Sequence, residues 1–137
     1  MMDIEEETVE RPQLELTLLA ESLAICQLDR NAPVPEWACQ GSFYSITRTP
    51  QELSIVCPQE NVPAGVTCEP GWRALCSKGP LGFTLTGLVE SLAEPLATAG
   101  ISIFVISTFL TDYLMVKEHE LQIAILALKK AGHIVHV

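Results

Sequence analysis

The sequence feature that most constrains the fold is a leucine-rich stretch with helical spacing that lies between two β-rich segments. Its apolar residues recur every three or four positions, at Leu81, Leu85, Leu88, Leu92, Leu96 and Ala99. This spacing predicts a helix with one apolar face, which has to be buried against another element of structure. Gly100 suits the end of that helix, and Pro95 predicts a bend or a tightened last turn.

The residues around this helix predict strands and a second helix. Residues 72–76 precede it, and residues 101–107, rich in β-branched side chains, begin a hairpin that residues 113–116 complete. A second amphipathic helix follows and ends at Gly132, and residues 133–137 form a last strand. The order strand, helix, strand, strand, helix, strand predicts a ferredoxin-like α+β fold, an antiparallel sheet with both helices on one face.

The N-terminal half predicts similar strands with fewer helices. Proline-rich stretches at residues 31–37 and 58–70 stand where helices would belong. Ile46 and Val56 are ten positions apart, as are Ile106 and Val116, which indicates an internal repeat whose first copy is degenerate. The predicted organisation is an acidic flexible N-terminus, a degenerate N-terminal domain and a C-terminal domain, over residues 1–12, 13–70 and 71–137.

Charge and hydropathy exclude several classes of partner. The chain carries 17 acidic and 8 basic residues, a net charge of -9, so a nucleic acid backbone would be repelled. No apolar run reaches the ~20 residues that a membrane helix needs. The N-terminus is acidic and lacks the basic start and apolar region of a secretory signal. We therefore expect a cytoplasmic protein with neither nucleic acid nor membrane as a partner.

Cysteine and histidine patterns predict neither a metal site nor a cofactor. The five cysteines contain no Cys-x-x-Cys pair, so we expect reduced, mostly buried thiols. His133 and His136 are three apart on a predicted strand, which directs them to opposite faces. The chain also contains no Gly-x-Ser-x-Gly, Walker or His-Glu-x-x-His motif, so we expect no catalytic residues.

Several segments together resemble a known family. Residues 99–108, Ala-Gly-Ile-Ser-Ile-Phe-Val-Ile-Ser-Thr, look like the second strand of ACT domains, especially those that regulate aspartate kinases. With residues 45–49, 53–58, 71–73 and 79–83, the chain resembles a bacterial family of stand-alone tandem ACT-domain proteins, which is similar to the CASTOR arginine sensors. The resemblance covers nearly all of the chain after the first dozen residues.

This resemblance implies tandem ferredoxin-like ACT domains that act as a regulatory amino-acid sensor without catalysis. It also implies a homodimer with ligands between the C-terminal domains of two protomers. The implied site comprises the loop and helix start after the first ACT strand and the end of the second strand, that is Gly82, Phe83, Thr84 and Leu85 with Thr108, Phe109 and Asp112.

These residue types suit a free amino acid. Backbone amides at a helix start favour a carboxylate, by roughly 0.3 to 1 kcal/mol at an exposed site. Asp112 would take the ligand's ammonium group together with the Thr108 hydroxyl, and Phe109 would wall the side-chain pocket. Leu85 stands where the CASTOR branch has an acidic residue, which argues against arginine as the ligand.

Each of these residues also has a plainer interpretation. Asp112 follows a turn residue, a place where aspartate often bonds only to its own backbone, and Phe109 would equally suit a core or an interface. Arg48 belongs to an exposed turn but could reach an acidic partner or ligand. For the whole chain the alternative is a protein-protein interaction or dimerisation module with an empty, vestigial pocket.

Overall fold

A computed structural model of the chain describes residues 13–78 and 85–137, which form eight strands and two α-helices. Single turns of 3-10 helix lie at Glu36–Cys39, Gln59–Asn61 and Glu118–Glu120. The predicted order of strands and helices in the C-terminal half is confirmed. In chain order the elements are β1 (Glu15–Leu18), β2 (Leu23–Leu28), β3 (Ser45–Arg48), β4 (Leu53–Pro58), β5 (Thr67–Lys78), α1 (Leu85–Thr98), β6 (Ile103–Ser107), β7 (Asp112–Lys117), α2 (Leu121–Lys130) and β8 (Ile134–His136).

The long strand β5 joins the two halves of the molecule. Its first part pairs antiparallel with β2, and its later part pairs antiparallel with both β1 and β7. Leu23 of β2 faces Trp72 of β5, whereas Ile25 of β2 faces Glu69. The register between the two strands therefore shifts at this point. Gly71 has a φ of +80° at this β-bulge, a backbone conformation that glycine adopts without a steric penalty. One strand therefore serves both halves, with a bulge at the change of partner.

The strand order within the sheet is ferredoxin-like in the N-terminal half, and the C-terminal half adds one strand to that order. The N-terminal half has the order β3-β4-β2-β5, and β6 and β7 extend the sheet beside the later part of β5. The strand β1 falls within the predicted N-terminal domain of residues 13–70, but it lies between β5 and β8, pairing parallel with β8. The C-terminal half therefore includes a strand from the beginning of the chain.

Both helices pack on one face of the sheet, as predicted. Leu92 and Leu96 of α1, with Leu121, Ala124, Ile125 and Leu128 of α2, share a buried cluster with Leu75 and Leu114 of the sheet. Burying a leucine side chain contributes about 1.5–3 kcal/mol, so the buried leucines of this cluster stabilise the C-terminal half. Among the described residues, no helix has the length and hydropathy needed to cross a membrane.

Each helix ends in the same hydrogen-bonded glycine motif. After α1, Gly100 has a φ of +76°, and the Ile101 N–H donates to the Leu96 carbonyl over 2.9 Å. After α2, Gly132 has a φ of +99°, and the His133 N–H donates to the Leu128 carbonyl over 3.0 Å. These are Schellman motifs, which supply donors to carbonyls left without partners at a helix end. The predicted helix-ending roles of both glycines are confirmed.

The N-terminal half replaces helices by loops, in agreement with a degenerate repeat. Over residues 13–66 the only helical elements are two 3-10 turns, at Glu36–Cys39 and Gln59–Asn61. The loop side chains of Trp37 and Ala38 pack on a small apolar cluster of strands β2 and β4, whose buried strand members are Ala24, Cys26, Leu53, Ile55 and Cys57. A loop therefore covers the face of the sheet that α-helices cover in the other half.

Candidate functional site

A four-residue turn that connects β6 to β7 is held by one threonine. The Thr108 N–H donates to the Thr111 carbonyl over 2.8 Å. The Thr108 hydroxyl donates to the same carbonyl over 3.1 Å and accepts from the Thr111 N–H over 3.2 Å. Phe109 and Leu110 form the tip of the turn, with relative exposures of 102% and 72%. A fixed turn thus presents two large apolar side chains to solvent.

The hairpin of β3 and β4 contains the same turn. The Thr49 N–H donates to the Glu52 carbonyl over 2.9 Å, and the Glu52 N–H donates to the Thr49 hydroxyl over 3.2 Å. Both turns have four residues, and the ladders make Thr49 the counterpart of Thr108. The alignment by equal spacing, which matched Ile46 with Ile106, is wrong by one residue because Ile46 corresponds to Val105 by register.

This repeat provides an internal comparison for Asp112. The first residue after the turn is Leu53 in the N-terminal hairpin and Asp112 in the C-terminal hairpin, and their relative exposures are 0% and 3%. Burying a carboxylate costs free energy that burying leucine does not. Because the other copy of the hairpin forms with leucine at this position, the hairpin itself does not require an acid there.

The carboxylate of Asp112 is bound by the opposite strand. Ser107 faces Asp112 across the β6–β7 ladder, and its hydroxyl donates to Oδ1 of Asp112 over 2.6 Å. This distance is typical of a hydroxyl that donates to a charged oxygen. Asp112 is therefore the first residue of β7 and has a side-chain partner on β6. The hydrogen bond from Ser107 fixes the orientation of the Asp112 carboxylate. An ionised carboxylate has about four acceptor positions, so it can serve further donors.

The end of β5 lies on the other side of Asp112. The register that pairs Cys76 with Tyr113 places Ser77, which is buried, next to Asp112, and the Thr111 hydroxyl donates to the Ser77 carbonyl. Leu114, two residues further along β7 and therefore on the same face, belongs to the cluster beneath the two helices. The Asp112 side chain thus lies on the helix-bearing face, at the end of the sheet from which the chain leaves for α1.

The predicted helix-start residues are only partly within the described chain. Gly82, Phe83 and Thr84 lie outside the described residues, and Leu85 is the first residue of α1. Their predicted role as donors for a carboxylate therefore stays a prediction.

The predicted hairpin residues occupy one end of the β6–β7 ladder. Asp112 is buried, Phe109 is fully exposed at the tip, and the Thr108 hydroxyl bonds within its own turn. Sequence reasoning missed Ser107 and Ser77 as neighbours of the acid. The signal for Ser107 was its place at the end of a predicted strand, one turn before an aspartate, but assigning the pair requires the ladder register.

Arg48 of β3 stabilises the loop that replaces a helix. Its guanidinium donates to the Ala32 carbonyl over 2.6 Å and also to the Arg30 carbonyl. These bonds tie the loop after β2 to the neighbouring hairpin. Since two of its nitrogens donate to backbone carbonyls, the structure gives Arg48 a role within the N-terminal half.

The two histidines near the last strand, His133 and His136, have different surroundings. His133 is buried, and its Nδ1 accepts the Leu14 N–H over 3.1 Å while its Nε2 lies 2.9 Å from the Ser91 carbonyl. That pair of contacts requires a neutral ring with the proton on Nε2. The His136 side chain is 57% exposed. Within residues 13–78 and 85–137, no three His, Cys, Asp or Glu side chains are grouped so that they could hold a metal ion.

Two family models match consecutive parts of the chain. The model described as an ACT domain matches residues 67–130, and a second model, which describes an N-terminal domain, matches residues 21–65. The boundary between the two matches falls at the beginning of β5, the strand that the two halves share.

Curated relatives match the chain over part of their length. The chain is 30% identical over 94 residues to the Homo sapiens protein CASTOR3P and 28% identical over 94 residues to the Bos taurus protein named cytosolic arginine sensor for mTORC1 subunit 1. The alignments cover 58% and 61% of this chain, and 56% and 29% of the relatives. The chain therefore spans about half of the first relative and less than a third of the second.

Solved structures share the fold over most of the chain. A protein of Agobacterium tumefaciens, solved by structural genomics, has a TM-score of 0.86 at 43% identity and covers 90% of this chain and 92% of its own. A Vibrio cholerae protein of unknown function has a TM-score of 0.70 at 21% identity, with 88% and 91% covered. The aspartokinase alpha and beta subunits have a TM-score of 0.62 at 14% identity, with 88% and 98% covered. At identities this low, the last two similarities show the fold alone.

Proposed function

We propose that this chain, whose residues 67–130 match the ACT-domain model, is a regulatory protein that binds a free amino acid beside Asp112 and catalyses no reaction. The observation that carries this proposal is the buried carboxylate of Asp112 at a position where the N-terminal repeat has Leu53. A buried acid that the fold does not need has a cost, and a ligand that pairs with it would offset that cost.

The geometry suits the ammonium group of an amino acid. Ser107 orients the Asp112 carboxylate from one side, and the end of β5 adjoins it on the other. An ammonium group has three donors, which a carboxylate and nearby main-chain carbonyls can accept. The ligand carboxylate would bind the backbone amides of residues 82–85, where the positive end of the α1 dipole favours an anion.

The proposed ligand site is completed by a second protomer. Phe109 and Leu110 are exposed at the tip of the turn next to Asp112, and β6 pairs with β7 alone among the described strands. An apolar tip and an unpaired strand edge are both features of surfaces that associate. A symmetric dimer would bury them and bring Phe109 of each protomer against the site of the other, so the phenyl ring would form a wall that the isolated chain lacks.

The identity of the ligand does not follow from the relatives. One of them is named a cytosolic arginine sensor, and from it we extend a cytosolic location to this chain. We do not extend arginine, since Leu85, at the start of α1, has no charge to pair with a guanidinium. A net charge of -9 supports a small-molecule partner over nucleic acid.

The test is a thermal melt of the purified chain with each common amino acid in turn. A ligand at a hundred times its dissociation constant stabilises the folded state by about 2.7 kcal/mol. We expect at least one amino acid to raise the melting temperature, and Asp112→Leu, which copies the N-terminal hairpin, to abolish that increase. Asp29→Asn is the matched control, because it removes one negative charge from an exposed residue that follows β2 and should leave the response unchanged.

A second candidate function is protein association without a ligand. The exposed tip residues Phe109 and Leu110 favour it, because they would serve an interface whether or not the Asp112 site is occupied. If no amino acid shifts the melt and the chain still self-associates, the amino-acid proposal is wrong and the interaction module is correct. A response that persists in Asp112→Leu would place the ligand elsewhere.

A further inference from the structure

Three of the five cysteines meet in the N-terminal half of the sheet. Cys26 lies on β2, directly opposite Cys68 of β5. On its other side Cys26 faces Ile55 of β4, which makes Cys57 its diagonal neighbour. The Cys57 and Cys68 thiols are near enough to Cys26 to contribute to a raised pKa of its thiol. The sequence does not indicate this cluster, because the three residues come from three different strands whose pairing has to be known first.

The ladder register selects which two thiols a disulfide can join. Directly opposite residues of antiparallel strands have Cα atoms about 4.5–5.5 Å apart, within the ~4.4–6.8 Å that a disulfide spans. Diagonal neighbours are roughly 7–8 Å apart, at or beyond that limit. Cys26 and Cys68 can therefore be joined with little backbone movement, whereas Cys26 and Cys57 cannot.

Exposure assigns different roles to the two sulfurs. Cys68 is exposed and Cys26 has a relative exposure of 1%, so an oxidant in solution meets Cys68 first. Burial, followed by the neighbouring Cys57 and Cys68, raises the pKa of the Cys26 thiol to about 12. Cys26 therefore stays protonated near neutral pH and reacts slowly, since the thiolate is the nucleophile.

The expectation of mostly buried thiols is wrong for Cys68 and for Cys39, which is also exposed.

We propose that Cys26 and Cys68 form a reversible modification site that is oxidised by low-molecular-weight disulfides. In the first step the Cys68 thiolate attacks one sulfur of the small disulfide, forms a mixed disulfide and releases one thiolate. In the second step the Cys26 thiol loses its proton to solvent and attacks Sγ of Cys68, which expels the second small thiolate. Two protein thiols are oxidised to one disulfide, and the small disulfide is reduced to two thiols.

The resulting bond would link β2 to the first part of β5, the strand that both halves share. A disulfide with an exposed sulfur is more easily reduced than a buried structural one, so the bond should reopen with a small dithiol. The site does not depend on amino-acid binding, because its residues lie in the N-terminal half and Asp112 lies in the other.

The experiment treats the full chain with oxidised glutathione and follows each cysteine by peptide mass spectrometry. Cys39 is the internal control, since it is exposed and lies in a 3-10 turn without a strand partner. We expect Cys39 to keep its glutathione adduct, while the Cys68 adduct converts to a Cys26–Cys68 disulfide. Because Cys26 must ionise first, that conversion should accelerate about tenfold per unit of pH between pH 7 and 9.

Substitution at the exposed thiol leaves the core intact and tests the assignment. Cys68→Ser should abolish the disulfide and leave Cys26 reduced, and Cys39→Ser should leave the disulfide unchanged. The proposal is overturned if Cys68 keeps its glutathione adduct beside a free Cys26, if Cys26 joins Cys57 instead, or if Cys39 reacts while Cys68 does not.

Discussion

Ser107 donates a 2.6 Å hydrogen bond to the buried carboxylate of Asp112, and the two residues face each other at the last rung of the β6–β7 ladder. The counterparts of this pair in the N-terminal hairpin are Arg48 and Leu53, which face each other in the same way after the same four-residue turn. The two hairpins have the same turn length and strand register, but they differ in the pair of side chains at this position. That difference places a polar pair in one half only.

The first prediction concerns the energetics of this pair. Ser107→Ala removes a donor from a buried acceptor and should lower the free energy of unfolding by about 1–3 kcal/mol. Asp112→Leu should leave it unchanged or raise it, because an apolar residue replaces a buried charge. Urea unfolding of both single variants and the double variant measures the coupling. In the Asp112→Leu background, Ser107→Ala should cost much less, and an equal cost in both backgrounds would contradict the pairing.

The second prediction concerns self-association through the turn. Phe109→Ser and Leu110→Ser alter side chains that are exposed in the protomer, so they should weaken dimerisation at least tenfold with little change in protomer stability. Sedimentation equilibrium measures the dimer constant. The control is the pair Ile123→Ser and Leu126→Ser, since both residues are exposed on α2, away from the turn. Weakening by the α2 substitutions alone would assign the interface to the helices.

The third prediction concerns the buried histidine. His133 accepts the Leu14 N–H and contacts the Ser91 carbonyl, so it connects β1, α1 and the start of β8. His133→Ala would leave a buried N–H without a partner and open a cavity, at a cost of about 2–4 kcal/mol in the free energy of unfolding. Denaturant unfolding checks the value. His136→Ala, at an exposed site, should change stability by no more than about 0.5 kcal/mol.

The fourth prediction separates backbone strain from steric contact at two glycines. Gly41 and Gly65 have φ values of +102° and +89°, so alanine is strained at both, by about 1–2 kcal/mol. A Cβ at Gly41 would also lie 2.9 Å from Cγ of Pro58, whose ring is buried, whereas a Cβ at Gly65 meets no atom within 4 Å. Gly41→Ala should therefore destabilise the chain more than Gly65→Ala in thermal melts. Equal losses would show that the loop at Gly41 moves away freely.

The sequence predicted the elements of the C-terminal half because the signals for them are local. The apolar residues at Leu92 and Leu96 recur with the period of a helix, and both are buried on the sheet. Gly100 and Gly132 ended their helices as expected, since a left-handed residue at a helix end selects glycine without reference to distant contacts. The loops of the N-terminal half followed in the same way from their prolines.

The tertiary structure decided every feature that depends on which strands pair and in what register. The sequence did not indicate that β1 would lie between β5 and β8, that Ile46 matches Val105, that Ser107 faces Asp112, or that Cys26 faces Cys68. Side chains alternate faces along a strand, so a shift of one residue changes every cross-strand partner. Local periodicity therefore defined the helices and strands, and pairing between distant segments determined which side chains meet at the candidate sites.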